Sequence, residues 1–135
     1  MEIRDRIAGI IIKDNKLLMM RGKSGLLWTP GGKIENNETD EECLKRELKE
    51  ETNLDLISMR FVGETLGKSP MFREASRNKI YLIKAKGKLM VPQKERYVHD
   101  LFWINVKDYL GKKYKIMTNV QESVLDFLIK ERIWR

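Results

Sequence analysis

The feature that most constrains the fold is the stretch from Trp28 to Leu54, in which a glycine-rich loop leads directly into a charged helix. Thr39 is a favourable N-cap, and Glu42 follows three residues later, which is the spacing of a capping box. Acidic residues occupy the first turn, where the helix dipole favours them. Asn53 tolerates the left-handed conformation that ends many helices. The stretch therefore predicts a loop followed by a helix that ends at Asn53.

The carboxylates of this helix lie on an unusual face. Three residues mark the side that we expect to pack against a core: Cys43, Leu44 and Leu48. Glu47 and Glu51 fall on the same arc, and Glu50 lies at its margin, whereas the basic residues take the other side. At an effective dielectric constant of roughly 20, neighbouring carboxylates repel each other by about 3 kcal/mol. A hard cation such as Mg²⁺ or Mn²⁺ would relieve this repulsion; the alternative is an amphipathic helix with glutamates misplaced beside its leucines.

The same residues match a family pattern. Five residues separate Gly32 from Glu38, seven separate Glu38 from Arg46-Glu47-Leu48, and Glu50-Glu51 follow after one more. This spacing resembles the Nudix box, and the chain departs from it only at Asn53, where the family has glycine. The resemblance implies an α/β/α sandwich with a mixed β-sheet. We expect residues 1–135 to form a single Nudix hydrolase domain.

The resemblance also implies a metal-dependent hydrolase that acts on a nucleoside diphosphate linked to another group. Glu47, Glu50 and Glu51 match the metal-binding and catalytic glutamates of the family, and the carbonyl group of Gly31 matches a backbone metal ligand. The implied cofactor is Mg²⁺, for which Mn²⁺ is a possible substitute.

Further candidates lie inside and outside the box. Arg46 and Glu38 match a structural pair that holds the loop against the helix. Glu95 is our candidate for the additional carboxylate that completes the metal site or acts as a base in this family, and Asp100 and Glu74 are the alternatives.

Cations and one histidine complete the list of candidates. Arg21, at the end of a predicted strand, and Lys33, beside the glycine loop, are candidates for binding phosphate groups. His99 is the only histidine. Because nothing in the box requires it, we expect His99 to be structural.

Two residues give conflicting indications about the substrate. Asn119 lies in a place similar to that of a base-reading Asn in the MutT-like branch, which removes oxidised nucleotides; the alternative is a helix cap. Pro70, sixteen residues after Leu54, resembles a feature of the branch that cleaves ADP-ribose. We favour a (deoxy)nucleoside triphosphate pyrophosphatase that yields monophosphate and pyrophosphate. The alternatives are an ADP-ribose or other nucleoside-diphosphate-sugar pyrophosphatase, an mRNA-processing hydrolase and a non-catalytic nucleotide-binding module.

The charge of the chain agrees with a small anionic substrate. The net charge is +7, yet residues 35–51 contain eight acidic and three basic residues, which leaves 24 basic and 12 acidic residues elsewhere. A basic body around an acidic pocket attracts anions, and no recognition motif indicates nucleic acid. Cys43 is the only cysteine, which excludes an internal disulfide, and the apolar run at 7–12 is too short to cross a membrane. We expect a cytoplasmic monomer or homodimer.

The hydrophobic pattern predicts the remaining elements. Five strands and a closing helix are expected: strands Ile3–Lys13, Lys16–Arg21, Leu56–Leu66, Lys79–Lys86 and Leu101–Val106, and helix Thr118–Arg132. Asp14 and Asn15 favour a hairpin turn between the first two strands. Three loops are expected: Gly22–Leu27, Gly67–Arg77 and Lys88–Val98.

Overall fold

The computed structural model describes residues 3–68 and 75–135. In chain order the elements are β1 (Ile3–Ile10), β2 (Ile12–Lys13), β3 (Lys16–Arg21), β4 (Leu27–Trp28), β5 (Gly31–Lys33), α1 (Asp40–Thr52), β6 (Asp55–Lys68), β7 (Ala75–Lys86), β8 (Asp100–Ile104), α2 (Val106–Leu110) and α3 (Asn119–Lys130). No helix in these two ranges is long and apolar enough to cross a membrane.

A mixed four-stranded sheet in the order β5-β1-β7-β6 forms the centre of the fold. β1 runs parallel to β7, whereas the other two pairings are antiparallel. On one face, Ile7 packs with Leu44 and Leu48 of α1. On the other face, Ile10 belongs to a larger cluster that includes Leu125 of α3. Helices thus cover both faces, and the expected α/β architecture with a mixed sheet is confirmed.

A second, antiparallel sheet joins β2, β3, β4 and β8. Its hairpin turn uses Asp14 and Asn15, whose φ values of 52° and 62° place both in the left-handed region that such short turns require. The turn predicted between the first two strands is therefore confirmed. This sheet brings the segment that follows β3, and the loop before β8, to the edge of the candidate site.

Several predicted boundaries are wrong for tertiary reasons. The first predicted strand breaks at Ile11, whose carbonyl group accepts a hydrogen bond from Leu18 (3.0 Å) as the chain leaves the mixed sheet. The loop predicted at Gly67–Arg77 is strand at both ends, because β6 and β7 pair as far as Lys68 and Ala75. The strand predicted to reach Val106 ends earlier, because Asn105 caps the unpredicted helix α2.

The helix that carries the box begins and ends as its sequence predicts. The side chain of Thr39 accepts a hydrogen bond from the backbone N–H of Glu42, and the carboxylate of Glu42 accepts one from the backbone N–H of Thr39, so the capping box is complete. Asn53 ends α1 in the left-handed conformation, at φ 65°. Buried residues of this helix include Leu44, Leu48 and also Glu51.

Candidate active site

One cavity of about 1250 Å³ is bordered by both sheets, α1, the start of α3 and the loop before β8. Five of its lining residues are carboxylates: Glu35, Glu47, Glu50, Glu51 and Glu95. Basic side chains also line it: Arg4, Arg6, Lys23, Lys33, Arg46, Lys94 and Arg96. The remaining lining is largely uncharged and includes Trp28, Tyr97, Val98, Met117, Val120 and Gln121. The cavity therefore combines an acidic cluster, a set of cations and an apolar end.

Glu51 is a buried carboxylate at the wall of this cavity. The residue is 8% exposed, and its Oε1 accepts a hydrogen bond from the backbone N–H of Gly31 at 3.0 Å. Burial raises its pKa well above the ordinary value, and the negative charges of Glu47, Glu95 and Glu50 raise it further, whereas the Gly31 hydrogen bond acts in the opposite direction. Glu51 therefore carries a charge that the protein alone compensates poorly.

Glu47 lies against the glycine loop. A Cβ atom at Gly32 would lie only 2.7 Å from Oε1 of Glu47, so a side chain here would displace the carboxylate. Gly31 is constrained more strictly, since its φ is 126° and a Cβ atom would lie 1.9 Å from the backbone carbonyl oxygen of Ile7. The side chain of Glu47 is 15% exposed, and burial raises its pKa although Arg46 lowers it.

Arg46 links the loop to the carboxylates of α1. Its Nε and Nη2 bind the two oxygens of Glu38 at 2.6 and 2.9 Å. Its Nη1 donates to Glu47 at 2.9 Å and to Glu50 at 3.4 Å. The Arg46 hydrogen bonds, followed by a backbone bond from Glu35, lower the pKa of Glu38 to about 2. The contact expected between Arg46 and Glu38 is thus present, and Arg46 also serves as a counter-ion within the acidic cluster.

The carboxylates provide a donor set that fits a divalent cation. Among residues 3–68 and 75–135, no three His, Cys, Asp or Glu side chains come close enough together to enclose a metal ion. In the absence of a metal ion, Arg46 binds Glu47 and Glu50, and the Gly31 N–H binds Glu51. Oxygen ligands of this kind suit Mg²⁺, and the raised pKa values of Glu47 and Glu51 indicate negative charge that a cation would stabilise.

Glu95 lies in the same cavity as the box glutamates. Its Oε1 accepts hydrogen bonds from the backbone N–H groups of Tyr97 (2.7 Å) and Val98 (3.2 Å), which fix it in a turn before β8. Its charge raises the pKa of Glu51, so the two carboxylates are electrostatically coupled. Of the alternatives, Asp100 binds Arg21. Glu74 and Pro70 fall outside the described residues.

Two predicted cations differ in their placement. Lys33 lines the cavity. Arg21 does not appear in the described cavity wall, because the register of β3 and β8 places it opposite Asp100. It binds both oxygens of that carboxylate and lies over the ring of Phe102, 5.1 Å from the centroid. The binding of phosphate groups by Arg21 therefore stays a prediction. The backbone of His99 donates to the carbonyl group of Arg21 at 2.7 Å.

Asn119 is the first residue of α3 and does not cap it. The N-cap is Thr118, whose side chain accepts a hydrogen bond from the backbone of Gln121 at 3.2 Å. The alternative interpretation of Asn119 as the cap is therefore wrong, and its role in binding a base stays a prediction.

Sequence reasoning missed many of the lining residues, and four of them show why. Arg4 and Arg6 both line the cavity. They lie two residues apart on β1, a spacing that places both side chains on one face of the strand and that was visible in the sequence. Trp28 was visible as a neighbour of the glycine loop. Gln121 had no signal, because only the docking of α3 against Thr29 brings it to the site.

Two of the curated relatives that match part of the chain have different activities. The chain is 48% identical over 52 residues to the ADP-ribose pyrophosphatase of Methanocaldococcus jannaschii, and this alignment covers 36% of the chain and 31% of the relative. The chain is 39% identical over 66 residues to the 8-oxo-dGTP diphosphatase of Buchnera aphidicola, and this alignment covers 45% of the chain and 51% of the relative. The chain thus spans about a third to a half of the length of these relatives.

The fold itself is similar to solved structures over nearly its whole length. The solution structure of the E. coli ORF135 protein superposes with a TM-score of 0.78 at 22% identity, covering 98% of this chain and 92% of the other. A model of the NUDIX domain matches residues 3–126, which include the glycine loop, α1 and most of α3. The resemblance first seen in the box therefore extends through the fold, and the chain belongs to the NUDIX domain family.

Proposed function

We propose that the protein hydrolyses a phosphoanhydride bond of a (deoxy)nucleoside triphosphate, with Mg²⁺ as cofactor, and releases the monophosphate and pyrophosphate. The observation that carries this proposal is the composition of the cavity described above. Carboxylates suited to a cation, basic side chains suited to phosphate groups, and an apolar end suited to a base all border the same space.

Glu47, Glu50 and Glu51 are the residues that would hold the metal ion, together with the carbonyl group of Gly31. A bound divalent cation neutralises charge on phosphate oxygens and lowers the pKa of water. The glycine loop brings backbone and carboxylates together, since neither Gly31 nor Gly32 leaves room for a side chain.

Other residues of the cavity would orient the substrate and accept its proton. Arg4, Arg6 and Lys33 line the wall and would bind phosphate oxygens. Glu95 is the carboxylate that we propose accepts a proton from the attacking water, because it lies in the cavity outside the set held by Arg46 and Gly31.

A second candidate function is hydrolysis of ADP-ribose. It is favoured by the partial match to the ADP-ribose pyrophosphatase of Methanocaldococcus jannaschii. Cleavage of ADP-ribose yields AMP and ribose 5-phosphate, whereas cleavage of a triphosphate as proposed yields pyrophosphate, so the products separate the two functions. A non-catalytic nucleotide-binding module would bind a nucleotide and would release no product.

The test uses the purified chain with Mg²⁺, a panel of purine and pyrimidine triphosphates that includes 8-oxo-dGTP, and ADP-ribose, with products separated by ion-exchange chromatography. We expect Glu50→Gln and Glu51→Gln to lower kcat by roughly 10²-fold or more, since each removes a charged group that the chemistry requires. Glu41→Gln is the matched control, because Glu41 is an exposed residue of the same helix.

Three outcomes would contradict the proposal. Full activity in EDTA, or in both variants, would exclude the role of the box glutamates. A kcat/KM for ADP-ribose more than tenfold above that of every triphosphate would favour the second candidate. Binding without turnover of any compound would favour the non-catalytic module.

We also propose that residues 1–135 form one domain. The family model ends at residue 126, yet Leu128 and Trp134 beyond it are buried in the same core as Leu125. Partial proteolysis should therefore leave the C-terminal segment attached to the folded core, and early removal of this segment without loss of folding would contradict the proposal.

A further inference from the structure

We propose that the side-chain amide of Gln121 donates a hydrogen bond to a carbonyl group of the substrate's base. The cavity would then favour bases with an oxo group over bases with an amino group at the same ring position. This inference rests on the proposed binding of a nucleotide in the cavity, and it goes beyond that proposal by assigning a specificity residue and a class of base.

The orientation of the Gln121 amide follows from its contacts. Gln121 is 6% exposed, and its Oε1 lies 3.1 Å from both the backbone N and the Oγ1 of Thr29. Because a backbone N–H can only donate, the oxygen of the amide must face Thr29. The Nε2 group therefore lies at the opposite end of the amide, and its assignment does not depend on the choice between two equivalent flips.

The Nε2 group has no hydrogen-bond partner in the part of the chain that the structure describes. Gln121 lines the cavity, and its amide oxygen is turned to Thr29. The Nε2 end of the amide is therefore the end that is left to face the cavity. An N–H pair beside an apolar wall needs an acceptor from the ligand.

The fixed amide offers donors only. Two hydrogen bonds from Thr29 already occupy the carbonyl oxygen of Gln121, so the side chain has no acceptor left for an amino group. A base carbonyl accepts from Nε2, whereas an amino group at the same position places hydrogen against hydrogen. Sites built around one fixed hydrogen bond reject the mismatched group more strongly than apolar pockets do.

The neighbouring residues suit a base at this end of the cavity. The backbone of Met117 donates to Leu27 at 2.8 Å, which holds the segment before α3 beside β4. Trp28 and Met117 both line the cavity near this contact, and neither carries charge. An aromatic ring and a thioether provide the flat, polarisable surface on which bases stack.

The distance to the carboxylates also agrees with a nucleotide. Thr29, which orients Gln121, lies two residues before Gly31, whose N–H binds Glu51. Two residues span at most about 7 Å. The backbone groups that contact Gln121 and Glu51 therefore lie within about 7 Å of each other, so both side chains border the same part of the cavity.

Two matched pairs of nucleotides test the inference. IMP and AMP differ only at position 6 of the purine, and UMP and CMP differ only at position 4 of the pyrimidine. We expect the wild-type protein to bind the oxo member about tenfold more tightly in at least one pair, as measured by titration calorimetry. The corresponding triphosphates should show the same ratio in kcat/KM.

Gln121→Glu is the decisive variant, because it keeps an oxygen for both Thr29 donors and replaces only the NH₂ group by an acceptor. We expect the oxo-to-amino ratio to fall by about tenfold or more. Gln121→Met removes the donor at similar size, and its ratio should approach one. Glu122→Gln is the control, since it makes the reverse exchange at an exposed position of α3 and should leave the ratio unchanged.

The outcomes separate this inference from the proposed function. A wild-type protein that binds both members of each pair equally, or that binds no monophosphate, overturns the inference, as does an unchanged ratio in a folded Gln121→Glu protein. Discrimination in binding without hydrolysis would overturn the proposed function and leave the inference standing. Hydrolysis without discrimination would do the reverse.

Discussion

The carboxylates around α1 form two groups with opposite electrostatics. Glu38, in the loop before the helix, is held by both arms of Arg46, and its pKa is lowered to about 2 by those hydrogen bonds. Glu51, near the end of the helix, is buried, and burial raises its pKa well above the ordinary value. The first carboxylate therefore stabilises the fold, whereas the charged form of the second destabilises it in the absence of a cation.

Loss of Arg46 should give the largest effect on this comparison. Arg46→Ala removes the partner of Glu38 and the counter-ion of Glu47 together, so we expect Tm to fall by several degrees and the Mg²⁺ concentration at half-maximal activity to rise. Arg46→Lys should recover only part of the stability, because a lysine cannot make the two-pronged contact. Differential scanning fluorimetry and a Mg²⁺ titration provide the measurements.

Lys49→Ala is the control for Arg46. Lys49 lies on the same helix in an exposed ion pair with Asp55 at 3.3 Å, and such pairs contribute little. If the Tm of Arg46→Ala falls no further than that of Lys49→Ala, Arg46 is an ordinary surface residue.

Removal of the buried charge of Glu51 should have the next largest effect, and it should raise Tm, whereas the loss of Arg46 lowers it. Glu51→Gln keeps an acceptor for the Gly31 N–H but eliminates the charge, so we expect a higher Tm than the wild type at pH 7 in EDTA. Addition of Mg²⁺ should raise the Tm of the wild type, since a ligand that binds only the folded state stabilises it. The variant should respond much less.

Glu41→Gln again provides the matched control, because its carboxylate is exposed and its removal should change Tm very little. A Glu51→Gln protein that is less stable than the wild type in EDTA would show that the burial of this charge is not a cost in the metal-free fold.

The smallest expected effect is in the pH dependence of stability. The lowered pKa of Glu38 contributes stability that is present above its unfolded value of 4.5 and is lost as the pH falls through about 2. The raised pKa of Glu51 has the opposite effect. Its contribution to stability is present at a pH below the pKa of the unfolded state and is lost as the pH rises through the pKa of the folded state. Chemical denaturation of metal-free protein from pH 7 to pH 2 measures both.

Glu38→Gln and Glu51→Gln separate these two contributions. The stability difference between wild type and Glu38→Gln should shrink as the solution becomes acidic through pH 2. The stability of Glu51→Gln relative to the wild type should also decrease on acidification, but for a different reason. The Glu51 carboxyl group of the wild type becomes protonated, and the wild-type protein is then more stable. Parallel curves for all three proteins would contradict the division into two groups.

Local signals made much of α1 predictable. The capping box of Thr39 and Glu42 and the left-handed stop at Asn53 depend on neighbours in sequence, and all three occur as expected. The same is true of the Asp14-Asn15 turn. Predictions failed where distant segments decided the outcome: the loop predicted at Gly67–Arg77 is strand at both ends, because β6 and β7 pair as far as Lys68 and Ala75.

By itself, the sequence determined the helix that carries the box glutamates, its ends, and the side of the helix that packs against the core. These follow from helical periodicity and from hydrogen bonds within a few residues. Only the tertiary structure decided that Arg46 also contacts Glu47 and Glu50, that Glu51 accepts from the N–H of Gly31, and that Gln121 meets Thr29 across 92 positions of the chain. The physical reason is that burial and pairing depend on which elements pack together, and no local pattern encodes the approach of α3 to the glycine loop.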